Sequence, residues 1–541
     1  MTRLPCARHQ RELAWIALLI FVWLAAAAWA RPLMLPDEGR YVGVAWEMLR
    51  SGDWLTPTLN GLPFFHKPPL FYWITAASMW VFGPSAIAAR AAPLLGAGLG
   101  AMTTYLFVRR WVDERAARLT LVALLVQPLF YLGGQFANLD MLVAGCITAT
   151  IVLFAHAALG ADLHRPVRGT LVAAYSMAAI GVLAKGLIGA VIPALVIGAW
   201  LILRRRWRVI AVLVWAPGVL IFLAIAAPWF VAMQWRFDGF LDYFFVVQHF
   251  KRFAAGGFNN AQPFWFYPAV LLVLSLPWLP WLWRTLRRGL ARGGAGDKSG
   301  DGAGGSAGDA TRDAVRLLAV VWAAAVVGFF SLPQSKLVGY ILPAVPPLAF
   351  LMAESLSKPV TSSRHTLRLW GASAAVSAAV GLGVVSALAI HPLRTSRGLA
   401  TALAAQRDPR DAVLLLDNYY YDVPFYAGLR SPVDVVDDWA HQDVRLRDNW
   451  RKELVDAATF APAPAASRLV VAQALPATLC AARVSWLIGA KTAAADHPVL
   501  ALARVAFTGR ELMLWRLDTA EPRVAMALRC PGTPSAGSPD R

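Results

Sequence analysis

Asp37-Glu38-Gly39-Arg40-Tyr41 and, further along, His66-Lys67-Pro68-Pro69-Leu70 stand between two long apolar runs, 13–30 and 85–108. Two carboxylates, an arginine and a lysine thus gather beside segments that are otherwise soluble in lipid. Ionisable groups are costly near hydrocarbon, and where they collect at a membrane they mark charged substrates or their pathways. The stretch reads as the working face of an α-helical polytopic membrane protein that handles an anionic, lipid-linked molecule.

The rest of the chain supports that class. Of 541 residues, 58% are hydrophobic and only 15% charged, a balance foreign to soluble globular domains. Apolar runs recur at 13–30, 85–108, 117–133, 139–158, 169–184, 187–203, 209–231, 264–283, 316–332, 339–354 and 369–390. A helix crosses with about 20 residues, fewer where the bilayer thins, so about 11 spans are predicted and at most about 13. The first run follows Arg3, Arg8 and Arg11 like a signal peptide. Arg31-Pro32 follow it without a small-residue cleavage site, so it is read as a retained span.

Lys and Arg number 51 against 32 Asp and Glu, a net charge of +19. In a soluble protein that excess would point to nucleic acid. Here it sits in short connections: Arg109, Arg110, Arg115 and Arg118; Arg165 and Arg168; Arg204, Arg205, Arg206 and Arg208; Arg284, Arg287 and Arg288; Lys358, Arg364 and Arg368. The positive-inside bias makes these connections and the N-terminus cytoplasmic, and removes nucleic acid as a partner. Short loops on the other side carry Lys185 and Lys336. The Gly/Asp/Ala-rich stretch 293–309 reads as a flexible cytoplasmic linker.

An odd number of spans places residues 391–541 outside. Their β-type runs at Ala412–Leu416, 468–472 and 511–517 alternate with helix-prone segments and predict a small C-terminal α/β extracytoplasmic domain. Residues 1–390 form the transmembrane domain, with outer loops 31–84 and 232–263. The four cysteines, Cys6, Cys146, Cys480 and Cys530, lack metal-ligand spacing. Cys480 and Cys530 share the outer compartment and could form a disulfide.

Four outer segments hold the unusual polar residues. In loop 31–84, Trp46, Met48, Leu49, Trp54 and Leu55 alternate with Arg40, Glu47 and Asp53, as in a helix lying in the interface. Asn138 and Asp140 open the fourth span. The 232–263 loop carries His249, Lys251 and Arg252, and the last segment is Ser335-Lys336-Leu337-Val338-Gly339-Tyr340. Plainer readings exist for each. Asp37, Glu38 and Asp140 could cap helices, Lys67 could snorkel to headgroups, Lys251 and Arg252 could anchor to lipid phosphates, and His66 and His249 could be satisfied histidines. No Walker A loop, dinucleotide fingerprint, zincin motif or nucleophile elbow occurs. The donor must therefore arrive already activated.

Asp37-Glu38-x-Arg40-Tyr41, Ser51-Gly52-Asp53-Trp54, Asn60-Gly61 and Lys67-Pro68-Pro69-Leu70 follow one another as in the membrane glycosyltransferases of the GT-C fold. Leu139-Asp140, Lys185-Gly186, His249-x-x-Arg252-Phe253 and Ser335-Lys336…Tyr340…Leu342-Pro343 extend the likeness over residues 30–350. The chain resembles the branch that transfers 4-amino-4-deoxy-L-arabinose to lipid A, related to the protein O-mannosyltransferases. That resemblance implies a polyprenyl-phosphate sugar donor, lipid A or another envelope acceptor, and a place in the bacterial inner membrane. His66 stands where the branch usually has glutamate, which weakens any inherited metal site. His66 and His249 are the candidate ligands for a divalent ion; no other cofactor is implied.

Breaking a sugar–phosphate bond places charge on the leaving phosphate, which cations should meet. Lys67 and Arg252 are the first candidates, with Tyr340 as hydrogen-bond donor and Lys336 as a further cation. A carboxylate should orient or deprotonate the acceptor: Asp37 first, Asp140 second, with Arg40 pairing Asp37 and holding its pKa low. A transferase of the same fold with a protein or polysaccharide acceptor stays open, as does a flippase of prenyl-linked sugars.

Overall fold

The computed structural model describes residues 4–251, 260–295, 307–356, 363–441, 444 and 449–531. Each apolar run of the sequence falls on helix. Five helices are long and apolar enough to cross a membrane, or seven if two bent pairs each count as one span. The bent pairs are Glu114–Val126 with Pro128–Gly134 and Phe266–Leu274 with Leu276–Arg287. Proline ends the straight run in both, because it supplies no N–H to the preceding turn and clashes with it.

Leu139–Asp162 is the central helix, buried along most of its length. It lies against Ala91–Trp111 at small residues: a Cβ on Gly145 would collide with the backbone of Gly96. Removing side chains at a crossing lets two helices approach closely in an apolar medium, where packing rather than hydrophobic force joins them. Arg364–Ile390, by contrast, is mostly exposed and presents Val376, Val380, Leu382 and Val384 outward.

Several arginines of the basic connections pair with acids. Glu12 meets Arg109 and Arg118, Asp113 meets Arg312, Asp162 meets Arg204, and Glu354 meets Arg316. The expected linker 293–309 is helical at both described edges, since Leu279–Ala295 and Ala307–Ser331 run into it. Residues 296–306 lie outside the described residues.

Loop 31–84 is built around helix Asp37–Ser51 and a hairpin of β1 (Thr58–Leu59) and β2 (Leu62–Pro63). Asn60 and Gly61 both take positive φ, 53° and 66°, which is what a two-residue type I′ turn demands. Glu47 receives the Asn60 and Gly61 N–H groups and the Thr58 hydroxyl at 2.6, 2.8 and 2.8 Å. The expected interfacial helix is corrected here. Trp46 and Met48 are buried within the protein, and Trp46 Nε1 donates to the Leu429 carbonyl at 3.1 Å. Only Trp54 and Leu55 remain outward.

The C-terminal region carries a six-stranded sheet: β3 (Ala412–Leu416), β4 (Asp434–Asp437), β5 (Leu469–Val471), β6 (Val484–Ala490), β7 (Arg504–Thr508) and β8 (Leu512–Asp518). The order is β5-β4-β3-β6-β8-β7, with the first four parallel and the last two antiparallel. The chain winds outward from β3 and then returns to the other side of it, leaving a switch point between β3 and β6. Crevices at the carboxyl ends of such strands are where open α/β sheets bind ligands. Cys480 and Cys530 form a disulfide. Cys146 is buried in the bundle as a free thiol.

Candidate active site

One cavity of about 1220 Å³ lies between the helical bundle and the sheet. Asp37, Arg40, His66, Lys67, Asp140 and Tyr340 all face it, though they come from three of the outer segments. Lys185, Glu453 and Arg510 join them from elsewhere in the chain.

Local structure explains how these side chains are held. Pro36 precedes helix Asp37–Ser51, so Asp37 and Glu38 occupy its first turn. There the N-terminal dipole favours carboxylates. The two have different fates. Glu38 is fully buried and takes both guanidinium groups of Arg31 and Arg90, with Arg90 at 3.0 and 3.2 Å. It also accepts the N–H groups of Met34 and Ala137 at 2.9 and 2.8 Å. The carboxyl stays below its usual range because the two arginines outweigh its burial. Glu38 is the knot that ties the loop to the bundle.

Asp37 opens onto the cavity, with about a third of its side chain exposed. Burial within the cavity pushes its pKa above the ordinary carboxylate value. Arg40 opposes that shift and Asp140 adds to it. Arg40 was expected to hold Asp37's pKa low. Its nearest carboxylate is Glu453, at 3.0 Å, against 3.3 Å for Asp37, so its charge is divided between the two. Its guanidinium also lies 5.1 Å from the Tyr421 ring, and Tyr421 donates to Glu453 at 2.6 Å.

Asp140 is in the first turn of Leu139–Asp162, where the side chain of Asn138 caps the helix. Its carboxylate pairs with Lys185 and accepts from Asn138 Nδ2 at 3.1 Å. Lys185 ends helix Arg168–Lys185 and sits 4.2 Å from the Tyr340 ring. A Cβ at Gly339 would overlap the Asp140 carboxylate, so only glycine lets the 338–344 turn come this close. Asp140, Lys185 and Tyr340 thereby form one packed unit.

The remaining candidates divide. Lys67 lines the cavity beside Phe64 and His66. Lys336 does not reach it. Its ammonium donates to the carbonyls of Gln262 and Pro333 at 2.8 and 2.5 Å, and its backbone N–H to Asn260 at 3.0 Å. It pegs one loop to another, which corrects its proposed phosphate role. His66 stacks on Phe64 at 4.5 Å and faces Tyr243 at 6.1 Å. Aromatic neighbours are a poor ligand set, and no group of three His, Cys, Asp or Glu among the described residues could hold a metal. The side chains of His249 and Lys251, and the whole of Arg252, lie outside the described residues.

Sequence reasoning gave Lys185 no chemical role, although a single lysine ending an apolar run on the outer side was a usable signal. Glu453 and Tyr421 carried no comparable signal. They lie in ordinary α/β sequence, where charge and aromatics are common.

The architecture is that of a GT-C membrane glycosyltransferase, and the protein is a polytopic membrane protein of the bacterial inner-membrane kind. Residues 66–231 match the family described as dolichyl-phosphate-mannose-protein mannosyltransferase. The undecaprenyl phosphate-alpha-4-amino-4-deoxy-L-arabinose arabinosyl transferase of Erwinia tasmaniensis is 32% identical over 362 residues, 66% of this chain and 61% of that protein. The protein of the same description from Edwardsiella ictaluri is 30% identical over 375 residues, 69% of this chain and 64% of that one. The match thus spans less than two thirds of these relatives' own length. Crystal structures of ArnT from Cupriavidus metallidurans share the fold. The form bound to undecaprenyl phosphate superposes with a TM-score of 0.75 at 22% identity, covering 93% of this chain and 97% of that one. The apo form gives 0.74 at 24% identity, covering 94% and 98%. The resemblance carried by the Asp37–Tyr41 and Lys67–Leu70 motifs is borne out.

Proposed function

We propose that the protein transfers a sugar, 4-amino-4-deoxy-L-arabinose, from undecaprenyl phosphate to lipid A or another envelope acceptor. The observation that carries this reading is the meeting of Lys67, Asp37 and the Asp140–Lys185–Tyr340 unit in one cavity beside apolar helices. The names of the relatives supply the sugar and its carrier.

In the reaction the bond from the sugar's anomeric carbon to the donor phosphate oxygen breaks, and its electron pair stays on that oxygen. Lys67 meets this charge as a point cation, with Arg252 as the partner able to grip two phosphate oxygens. Tyr340 donates a hydrogen bond. An oxygen of the acceptor forms the new bond from the opposite face. A phosphate acceptor is already ionised, so no proton moves and Asp37 acts through position and field. A hydroxyl acceptor would give its proton to Asp37, whose raised pKa suits a base. Asp140 is the weaker candidate because Lys185 already neutralises it. His66 and His249 remain the only residues offered for a divalent ion, and no step is routed through one.

The reading divides the chain into a membrane domain, 1–390, and an extracytoplasmic domain, 391–541. About 11 spans put the N-terminus in the cytoplasm and the cavity at the periplasmic face. Reporter fusions should be inactive in the periplasm near residue 300 and active there after residue 400. The function itself is tested by mass spectrometry of lipid A from cells with and without the gene. An aminoarabinose mass increment that follows the gene supports it; identical spectra under inducing conditions contradict it.

A further inference from the structure

The cavity is larger than the usual pocket for a single small molecule, and its cations are unequally committed. Arg40 is neutralised by Asp37 and Glu453, and Lys185 by Asp140. Lys67 lines the same cavity. Two more guanidinium groups line the cavity, Arg394 and Arg510, and neither forms an ion pair with a described residue.

Both arise from braced backbone. The Arg394 carbonyl accepts the Leu35 N–H at 2.9 Å, two residues from Asp37. Immediately after it, the Thr395 hydroxyl and Ser396 N–H donate to the buried Asp422 carboxylate at 2.9 and 2.8 Å. Arg510 is in the turn joining β7 to β8, closed by Gly509 N–H to the Leu512 carbonyl at 2.8 Å and by Lys491 N–H to the Glu511 carbonyl at 3.1 Å. The β7 strand of the same hairpin packs against helix Arg397–Gln406. The two arginines therefore stand on adjoining, rigid segments. Glu511 lines the cavity beside Arg510, which disfavours a second carboxylate there but is outnumbered by the two guanidinium groups.

We propose that Arg394 and Arg510 form a second anion subsite in the cavity that holds a phosphate of the acceptor while Lys67 serves the donor. The acceptor class this selects is a phosphorylated glycolipid, since a fork of N–H donors matches phosphate oxygens. The inference rests on the transferase reading for its assignment of donor and acceptor, but it can be tested by binding alone.

The experiment uses the purified full-length protein in detergent. Binding of bisphosphorylated lipid A, of the same glycolipid with its phosphates removed, of undecaprenyl phosphate and of inorganic phosphate is measured for wild type, R394Q, R510Q and the double variant. Each glutamine removes the charge but leaves a polar group at an exposed position, and monodispersity is checked first. Each single change should weaken lipid A binding about tenfold, as expected for losing a charge-assisted hydrogen bond. Undecaprenyl phosphate and dephosphorylated glycolipid should bind as before. Inorganic phosphate should bind only weakly, because the rest of the headgroup adds affinity, and what binding there is should fall in the double variant. Equal weakening toward undecaprenyl phosphate, unchanged lipid A binding by the double variant, or no lipid A binding by wild type would each overturn the proposal. If the binding split holds and no sugar is transferred, the subsite stands and the transferase reading fails.

Discussion

The two walls of the cavity are built on opposite principles. On the membrane wall, Asp37, Lys67, Asp140 and Lys185 are ionisable groups at the ends of apolar segments. On the sheet wall, Tyr419, Tyr421, Glu453 and Arg510 come from a sheet and its loops. The first wall is conspicuous because each charge there is an exception to its surroundings. The second is inconspicuous because its charges are the norm. Yet Arg40 of the first wall takes its closest carboxylate from the second, so neither wall is complete alone.

The largest expected effect separates the knot from the chemistry. Glu38→Gln should leave Arg31 and Arg90 buried against a neutral group. Breaking a buried pair in this way costs about 3–5 kcal/mol, so yield and monodispersity should collapse along with activity. A well-folded, inactive Glu38→Gln protein would instead make Glu38 a reacting group.

A smaller loss is expected where the walls meet. Glu453→Gln should keep the fold but weaken the hold on Arg40, lowering turnover about 10- to 100-fold, the scale of one lost charged hydrogen bond. The rate's acid limb should move as well, since Arg40 also sets the pKa of Asp37. An unshifted limb with full turnover would show that the sheet wall only covers the site.

Acidity gives a milder contrast. Burial pushes the Glu47 carboxyl up to about 7 and that of Asp422 up to about 6. Both bind a proton more readily folded than unfolded, so their contribution is present at low pH and lost as pH rises through those values. His497, held charged by Asp417, has a raised pKa and the same sign. Melting in detergent should therefore occur at higher temperature at pH 5.5 than at pH 8, and Glu47→Gln should flatten part of that slope. A rising profile would contradict the assignment.

The smallest effect belongs to Lys336. Lys336→Met removes two hydrogen bonds to carbonyls and should lower stability by about 1–3 kcal/mol while leaving the donor KM nearly unchanged. A large rise in donor KM with intact stability would restore the phosphate role that its sequence position first implied.

The sequence made the fold class legible through apolar runs of spanning length, and much of the membrane wall through Asp37, Lys67, Asp140 and Tyr340. Strands were readable where they form continuous apolar runs, as in Ala412–Leu416. What stayed hidden depended on long-range packing. Lys336 looks the same in sequence whether its ammonium faces a phosphate or two carbonyls. Trp46 and Met48 form the same amphipathic pattern whether they face lipid or a sheet more than 300 residues away in the chain, as at Leu429. Glu453 acquires meaning only once Arg40 is beside it.

The central claim is that the cavity holding Asp37 and Lys67 is where the sugar moves. Its most direct test is the rate of aminoarabinose transfer from purified undecaprenyl-phosphate donor to lipid A in detergent, comparing wild type with monodisperse Asp37→Asn and Lys67→Ala proteins. Losing a transition-state electrostatic contact costs about 2–4 kcal/mol, or roughly 30- to 1000-fold in rate, and each variant should fall by that much with its melting temperature preserved. Near-normal turnover by both well-folded variants would contradict the account.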